Sequence, residues 1–254
     1  MELLSKEEVR KLFLDKIERD VFNIPNLKLM AEELLERCAQ LPLAIVTIVA
    51  SFKPLIEDFE WRDALRELRE SIVRTNNSEK QVLETLKFSY VRLKDEKLKQ
   101  CLLHCALFPK DFKIDKQELI EHLIDEGIIE RMKSRQAEFD RGYSILRILE
   151  NACLLEGGND SYVGMFVKMD DLVRDMVLDV ASPQFMVEGC LGLDIFSDEG
   201  KWRKDLVKAS LMYKDILTIP PNVSPRYPNL STLLLQGNRS LRMNILVDGF
   251  RTDC

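Results

Sequence analysis

The feature that most constrains the fold is a series of helical segments that ends in a glycine-rich turn and a strand. Apolar residues recur at helical spacing over residues 80–90, 95–107, 115–125 and 135–151. The turn Gly157-Gly158-Asn159-Asp160 comes next, and Ser161 to Met169 has the pattern of a strand. A three-helix unit that ends in a β-hairpin is typical of a winged-helix domain. We therefore predict a winged-helix domain with a small hairpin wing over residues 79–182.

The part of the chain before this unit has the pattern of consecutive helices. Ser5-Lys6-Glu7-Glu8 is a capping box at the start of the first one. Pro25 breaks the chain before a second helix over Leu27–Ala39, and Pro42 can begin a third. A fourth helix is predicted over Trp61–Ile72. These patterns predict a helical domain over residues 1–78, which ends in a polar linker.

The last part of the chain has a different pattern. Residues 183–209 carry weak signals and are predicted to be a connector. Leu230-Ser231-Thr232-Leu233-Leu234-Leu235-Gln236-Gly237-Asn238 fits one complete leucine-rich repeat, and residues 209–220 look like an earlier, irregular one. We predict the beginning of a leucine-rich-repeat solenoid over residues 210–254. The expected fold class is therefore mainly α: a helical domain, a winged-helix domain and the first repeats.

Composition excludes some function classes. The formal net charge of −6 and the pI near 5.3 argue against non-specific binding to nucleic acid or to an anionic membrane. The longest apolar run, Leu41 to Ala50, is too short to span a bilayer and predicts a buried helix. Six cysteines at irregular spacing, without a secretory signal, favour reduced thiols in the cytoplasm.

The segment from Met169 to Val180 predicts a helix that is entered from a strand. Asp170 and Asp171 can cap this helix and place negative charge at its positive end. The apolar residues that follow at helical spacing form one face: Leu172, Val173, Met176, Val177 and Val180. The segment therefore predicts an amphipathic helix with an acidic start.

The sequence favours neither a metal site nor a catalytic site. Cys101, His104 and Cys105 have the i, i+3, i+4 spacing of ligands on one helix face, and His122 could be a fourth. The same spacing is that of a core-facing stripe, so we predict core residues and no metal site. The two histidines lie in no recognisable catalytic setting, and the sequence contains no Gly-x-Ser-x-Gly nucleophile elbow.

Several motifs together resemble one family. Met169-Asp170-Asp171-Leu172-Val173-Arg174-Asp175-Met176 is similar to the Met-His-Asp motif of plant nucleotide-binding leucine-rich-repeat (NB-ARC) disease-resistance proteins. Gln40-Leu41-Pro42-Leu43-Ala44 resembles their Gly-Leu-Pro-Leu-Ala motif, and residues 99–112 resemble their Cys-Phe-x-x-Cys-x-Leu-Phe-Pro-x-Asp signature. The motifs occur in the family's order and cover essentially the whole chain. The resemblance is to the C-terminal part of the NB-ARC region and the start of the repeats.

The resemblance implies an intracellular immune receptor that switches between ADP-bound and ATP-bound states during defence against pathogens. Pro42 would lie near the base and sugar of the nucleotide, and Asp170 stands where the family's phosphate-contacting His would be. Asp171 would keep its family role as the helix cap. Gln40 stands where the family motif has Gly, and a positive φ at this position would strain a residue with a Cβ atom. The implied partners are a pathogen effector or a guarded host protein and other receptor domains. The implied location is the cytoplasm.

The sequence departs from the family where phosphate chemistry is expected. It contains no Gly-x-x-x-x-Gly-Lys-Ser/Thr loop, since Gly200-Lys201 is followed by Trp202. We therefore expect ADP or ATP only by family resemblance, no tight nucleotide binding by this chain, and no enzyme activity. At about 4 Å from a phosphate charge, the carboxylate of Asp170 would cost about 4 kcal/mol at an effective dielectric of 20. Lys168 is close to Asp170 in sequence, but it could point to the other face of its strand and leave this repulsion uncompensated.

Two other functions are compatible with the sequence. One is a winged-helix DNA-binding protein, although the helix expected to read DNA, Asp115 to Asp125, is acidic and would repel phosphates. The other is a protein-interaction scaffold that acts through leucine-rich repeats.

Overall fold

The computed structural model describes residues 3–71, 78–182, 184–187, 205–213 and 229–237. The first helical group has these bounds: α1 Lys6–Ile17, a 3-10 helix Val21–Asn23, α2 Pro25–Arg37, α3 Pro42–Phe52 and α4 Asp58–Ser71. The capping box at Ser5 and Glu8 is present at the start of α1, as predicted. Proline is the first residue of both α2 and α3, because its fixed φ suits a helix start and its missing N–H needs no partner there. The second helix thus begins two residues earlier than the sequence pattern predicted.

The second helical group and three short strands form the winged-helix domain. The helices are α5 Ser78–Val91, α6 Glu96–Cys105, α7 Lys116–Asp125 and α8 Arg135–Asn151, and the strands are β1 Ile114–Asp115, β2 Glu156–Asp160 and β3 Gly164–Lys168. The sheet order is β1-β3-β2 with antiparallel pairing throughout. Side chains of Asp95, Asp115 and Ser134 cap α6, α7 and α8 by accepting backbone N–H groups. The predicted mainly helical fold with a winged-helix domain is confirmed.

The turn of the wing lies further along the chain than the glycines suggested. Gly157 and Gly158 were predicted to form the turn, but both lie in β2. A Cβ atom at Gly158 would overlap the ring of Phe166 on the paired strand, so this glycine serves close packing. The turn is at residues 161–163, where the Asp160 carboxylate accepts the backbone N–H of Tyr162 at 2.9 Å.

The helix after the wing, α9 Asp171–Ala181, differs from its predicted apolar face at one end. Val173, Met176 and Val177 are buried, as expected, but the side chain of Val180 is 41% exposed. The buried face instead continues from Val177 to Ala181, one turn further along the helix.

One continuous apolar core passes through both helical groups. Helix α3 packs against α1 within the first group and against α5 of the second group. Helix α5 in turn packs against α9. The ring of Phe52 in α3 lies 5.1 Å from that of Trp61 in α4 and 6.1 Å from that of Phe88 in α5, between ring centroids. These contacts hold the helical domain and the winged-helix domain against each other. The predicted linker at residues 75–78 lies almost wholly outside the described residues.

A second sheet follows α9. Its strands are β4 Phe185–Val187, β5 Lys208–Ser210 and β6 Thr232–Leu234, and both pairings are parallel. The predicted connector, residues 183–209, therefore contributes strands as well as a connection. Leu230, Leu233 and Leu235 of the predicted repeat are buried. Asn238 lies outside the described residues, and the start of a solenoid stays a prediction.

Every helix in the described part of the chain is too short or too polar to cross a bilayer. The apolar run that begins at Leu41 forms α3, which is buried as predicted. Cys38, Cys101, Cys105 and Cys153 are free thiols, as predicted; the other two cysteines lie outside the described residues.

Candidate functional site

A cleft of about 800 Å³ lies between the helical domain and the winged-helix domain. Its apolar lining residues are Leu3, Ala39, Leu41, Val82, Leu83 and Leu172, and its charged ones are Asp111, Glu156, Lys168, Asp170, Asp171 and Asp175. Of the two predicted site residues, Asp170 lines the cleft directly. Pro42 does not, although Leu41 immediately before it does. The structure thus brings the two predicted segments, which are far apart in sequence, to one cleft.

The turn before α3 forms one wall of this cleft. Ala39 and Gln40 both adopt left-handed backbone conformations, with φ of 48° and 59°. The carbonyl of Gln40 accepts the backbone N–H of Leu4 at 3.1 Å, which ties the start of the chain to this turn. The positive φ at Gln40 costs free energy in any residue with a Cβ atom, and the sequence anticipated this strain.

Asp170 caps helix α9. Its Oδ1 accepts the backbone N–H of Leu172 at 2.8 Å, and its carbonyl accepts that of Arg174 at 2.9 Å. Its φ of −64° and ψ of 145° are those of a residue just outside a helix. The expectation that Asp171 is the cap was wrong, because the helix begins at Asp171 and the free backbone donors point back to the residue before it.

Asp171 instead faces a lysine of the neighbouring loop. The Nζ atom of Lys110 lies 3.7 Å from its carboxylate and 3.4 Å from that of Asp175, one turn further along α9. All three side chains are about half exposed, so each ion pair stabilises the fold only modestly. Lys110 thus places one positive charge beside the carboxylates of Asp171 and Asp175, which line the cleft.

The charge balance of the cleft is acidic. Its lining contains five carboxylates and one amine, that of Lys168. Lys168 lies on the same side as Asp170 and not on the opposite face of β3. Its Nζ atom is 2.7 Å from Oδ1 of Asp111; this hydrogen bond raises the pKa of Lys168 and lowers the pKa of Asp111. The one lysine of the lining is therefore already engaged by a carboxylate.

Arg174 is a structural residue of the site that sequence reasoning missed. Only 8% of it is exposed, and its Nε donates to the carbonyl of Phe108 at 2.8 Å. This bond fastens the loop after α6 to α9 and thereby positions Lys110 and Asp111 beside the cleft. Burial lowers the pKa of Arg174. An arginine within the apolar face of a predicted helix is the signal that could have revealed it.

The Cys101, His104 and Cys105 stripe faces the core, as its helical spacing predicted. All three side chains are buried, and neither ring nitrogen of His104 has a hydrogen-bond partner. Burial lowers the pKa of His104 to about 3. His122 is near, with 6.0 Å between the ring centroids. Within the described residues, no group of three or more His, Cys, Asp or Glu side chains could hold a metal ion.

The exposed side of α7, where a winged-helix protein would meet DNA, is acidic. Glu118 and Asp125 are exposed, and Glu121 is half-buried and paired with Arg135 at 3.4 Å. This geometry disfavours contact with a phosphate backbone.

Comparison with known proteins gives a consistent result. Residues 107–177 match the family described as the disease resistance protein winged helix domain. The chain is 37% identical to disease resistance protein RFL1 of Arabidopsis thaliana over 236 residues, which is 89% of this chain and 26% of that protein. A probable disease resistance protein of the same plant is 36% identical over 244 residues, or 92% of this chain and 26% of the relative. Disease resistance protein RPS5, also of Arabidopsis thaliana, is 32% identical over 250 residues, or 95% of this chain and 27% of the relative.

The chain spans about a quarter of the length of these curated relatives, while they match nearly all of it. Helices α7 and α8, the three-stranded sheet and the bond between Arg174 and Phe108 lie in the matched region, which begins after α6. We conclude that residues 107–177 form a winged helix domain of the disease resistance protein family, and that nearly the whole chain is similar to one part of plant disease resistance proteins.

Proposed function

We propose that this chain is part of an intracellular immune receptor of plants, and that its cleft is one side of an ADP/ATP-dependent switch. The observation that supports this is the meeting of the turn before Pro42 with the Asp170 cap at one cleft between two domains. In such a switch the bound nucleotide would hold the winged-helix domain against its neighbours, and exchange would release it. Pro42 would border the base and sugar, and Asp170 would face the phosphates.

We further propose that the chain by itself binds nucleotide weakly and does not hydrolyse it. No phosphate-binding loop is present in the sequence, and the lysine that lines the cleft is engaged by Asp111. A diphosphate would therefore meet carboxylates without a free cation from the lining. ADP or ATP remains the cofactor that the family suggests.

Asp170 is expected to weaken an ADP-bound closed state. At about 4 Å from a phosphate charge its carboxylate would cost about 4 kcal/mol at an effective dielectric of 20. Its role as the cap of α9 would oppose any movement away from the nucleotide, because the bond to the N–H of Leu172 would be lost.

Calorimetry on this chain tests the proposed weak nucleotide binding, and a phosphate-release assay tests the proposed lack of hydrolysis. Titration with ADP is expected to show no saturable binding tighter than about 1 mM. Micromolar binding, or release of phosphate from ATP above a heat-inactivated control, would refute it.

A receptor that joins this chain to a phosphate-binding loop tests the role of Asp170. The substitution Asp170→His removes one negative charge and is expected to slow the release of bound ADP by at least about tenfold, with about a thousandfold as the upper bound that corresponds to the cost of about 4 kcal/mol. Asp175→Asn removes the same charge from the same cleft, away from the cap, and is expected to have a much smaller effect. Equal release rates in the parent and Asp170→His would contradict the assignment.

The partners and the location belong to the same proposal. The receptor would act in the cytoplasm and bind other receptor domains and a pathogen effector or a guarded host protein. A fluorescent fusion that accumulates in the cell wall or the vacuole of plant cells would oppose this.

A further inference from the structure

A second groove lies on the helical domain, formed by residues that do not line the cleft. It has a volume of about 610 Å³ and runs between α2 and α4. Leu29 of α2 and Phe59 of α4 line it, yet they are 70% and 62% exposed. Met30 and Leu65 lie beneath them and are buried. Two large apolar side chains in one groove, both mostly in contact with water, are what a docking surface shows before its partner binds.

The groove is preformed in the chain by itself. Asn26 at the start of α2 donates to the carboxylate of Asp58 at the start of α4 at 2.9 Å. Near the other end of both helices, Arg69 donates from Nε to Glu33 of α2 at 2.8 Å. These contacts hold the two helices side by side at both ends, so a partner would not have to order the groove itself.

The rim of the groove is positively charged, although the chain as a whole carries a formal charge of −6. Arg62, Arg66 and Arg69 follow one another at i, i+4 and i+7 along α4, and Asp63 is the one acidic residue of the lining. Arg66 pairs with Asp63, and Arg69 pairs with Glu33. Arg62 has no ion-pair partner among the described residues. Arg62 therefore offers a guanidinium group to a partner's carboxylate, and Arg66 can exchange Asp63 for another, because both side chains of that pair are more than half exposed and the pair is weak.

We propose that this groove, called here the α2–α4 groove, binds an acidic amphipathic helix of a partner protein. Apolar side chains of such a helix, spaced at i, i+3 and i+4, would cover Leu29 and Phe59, and its glutamates or aspartates would pair with Arg62 and Arg66. A groove between two helices that are held side by side at both ends suits a helical partner. The negative charge of the whole chain opposes approach to an anionic membrane.

The test uses the whole chain and a defined probe. The probe is a fluorescein-labelled 14-residue peptide with leucine and phenylalanine along one helical face and glutamate at the flanking positions. Fluorescence anisotropy is expected to give a Kd of about 10–100 μM, weakening as salt is raised. The double variant Arg62→Glu, Arg66→Glu is expected to weaken binding by about tenfold or more, and Phe59→Ser by about fivefold.

A matched pair of charge reversals serves as the control. Lys11→Glu and Lys133→Glu change the net charge by the same amount at exposed positions outside the groove. This double variant should bind the peptide as the parent chain does. All substituted side chains are exposed, so unchanged circular dichroism and melting temperature are expected to show that the variants fold.

Four outcomes would overturn the proposal. The arginine variant could bind as tightly as the parent, or the lysine control could lose binding equally. The parent could bind phosphatidylserine vesicles through Arg62 and Arg66 without binding the peptide. Sedimentation could instead show self-association that Phe59→Ser abolishes, which would make a second copy of the chain the occupant.

Discussion

At the residue scale, the turn before α3 contains backbone strain that the sequence alone could locate. Gln40 has a φ of 59°, in the left-handed region, which costs a residue with a Cβ atom about 1–2 kcal/mol. The sequence suggested this position, because the resembling motif has glycine there. The neighbouring left-handed residue, Ala39, has no such motif to mark it, so the structure alone revealed it.

Gln40→Gly is expected to raise the free energy of unfolding by about 0.5–1 kcal/mol, since relief of strain exceeds the larger entropy of glycine in the unfolded chain. Urea unfolding measures this change. Lys11→Gly, in the exposed middle of α1, is the control and is expected to lower stability by about 1 kcal/mol. If both substitutions destabilise equally, Gln40 is not strained.

His104 links stability to pH. Its pKa is about 3 in the folded protein, against about 6.5 for an unperturbed histidine, because burial disfavours the charged ring; the nearby Lys208 and His122 act in the same direction. Between these two pKa values the unfolded chain binds more protons, so stability falls as pH decreases below 6.5. The loss is about 1.4 kcal/mol per pH unit at most. Above pH 6.5 both states are neutral at this residue, and it contributes no pH dependence.

His104→Leu is expected to remove this component. Between pH 7 and pH 5 the parent should lose about 2 kcal/mol more stability than the variant, as measured by urea unfolding at each pH. Carboxylates are common to both proteins and cancel in the comparison. Parallel stability curves would show that His104 can be protonated in the folded state.

At the element scale, caps and prolines explain where most helices begin, and these signals are local in sequence. The start of α9 shows the limit of that reasoning. Two adjacent aspartates are equally good caps by sequence, and the extended backbone at Asp170 decides between them. The wing shows the same limit of local reasoning. Gly158 has the sequence signal of a turn, but it lies in a strand, where the ring of Phe166 leaves no room for a Cβ atom.

The attachment of α9 to the loop after α6 depends on Arg174. Arg174→Met would leave the carbonyl of Phe108 without its donor in a buried place and is expected to cost about 1–3 kcal/mol. Hydrogen exchange should rise first in residues 108–111. The control Arg141→Met removes an exposed ion pair with Asp95 and should change stability by less than about 0.5 kcal/mol. Unchanged exchange in the loop would show that other contacts hold it.

At the scale of the whole molecule, a small polar cluster joins the parallel sheet to the winged-helix domain. Glu126, just after α7, accepts from Lys208 of β5 at 2.6 Å and from the hydroxyl of Thr232 in β6 at 2.7 Å. The side chains of Lys208 and Glu126 are only 13% and 16% exposed. Met212 and Leu234 add apolar contacts by joining the main core.

Glu126→Ala is expected to loosen the sheet without unfolding the winged-helix domain. Lys208 would remain largely buried without its partner, at a cost of about 1–2 kcal/mol after allowance for partial solvent screening. Amide exchange in β5 and β6 should therefore rise by about tenfold while α8 stays unchanged. Glu130→Ala, which removes an exposed partner of Lys97, should alter neither region. An equal rise throughout the chain would mean that the two parts unfold together.

The sequence by itself determined the mainly helical class, the positions of most helices and the presence of a hairpin wing, because caps, prolines and apolar spacing act over a few neighbouring residues. Its motifs also carried the resemblance to disease resistance proteins. It also identified the Pro42 and Asp170 segments as a candidate site. Only the tertiary structure brought these segments to one cleft, placed Lys168 beside Asp111, and buried Arg174 against Phe108. Those relations join residues that are distant along the chain, and their geometry depends on how whole helices pack, which no local pattern specifies.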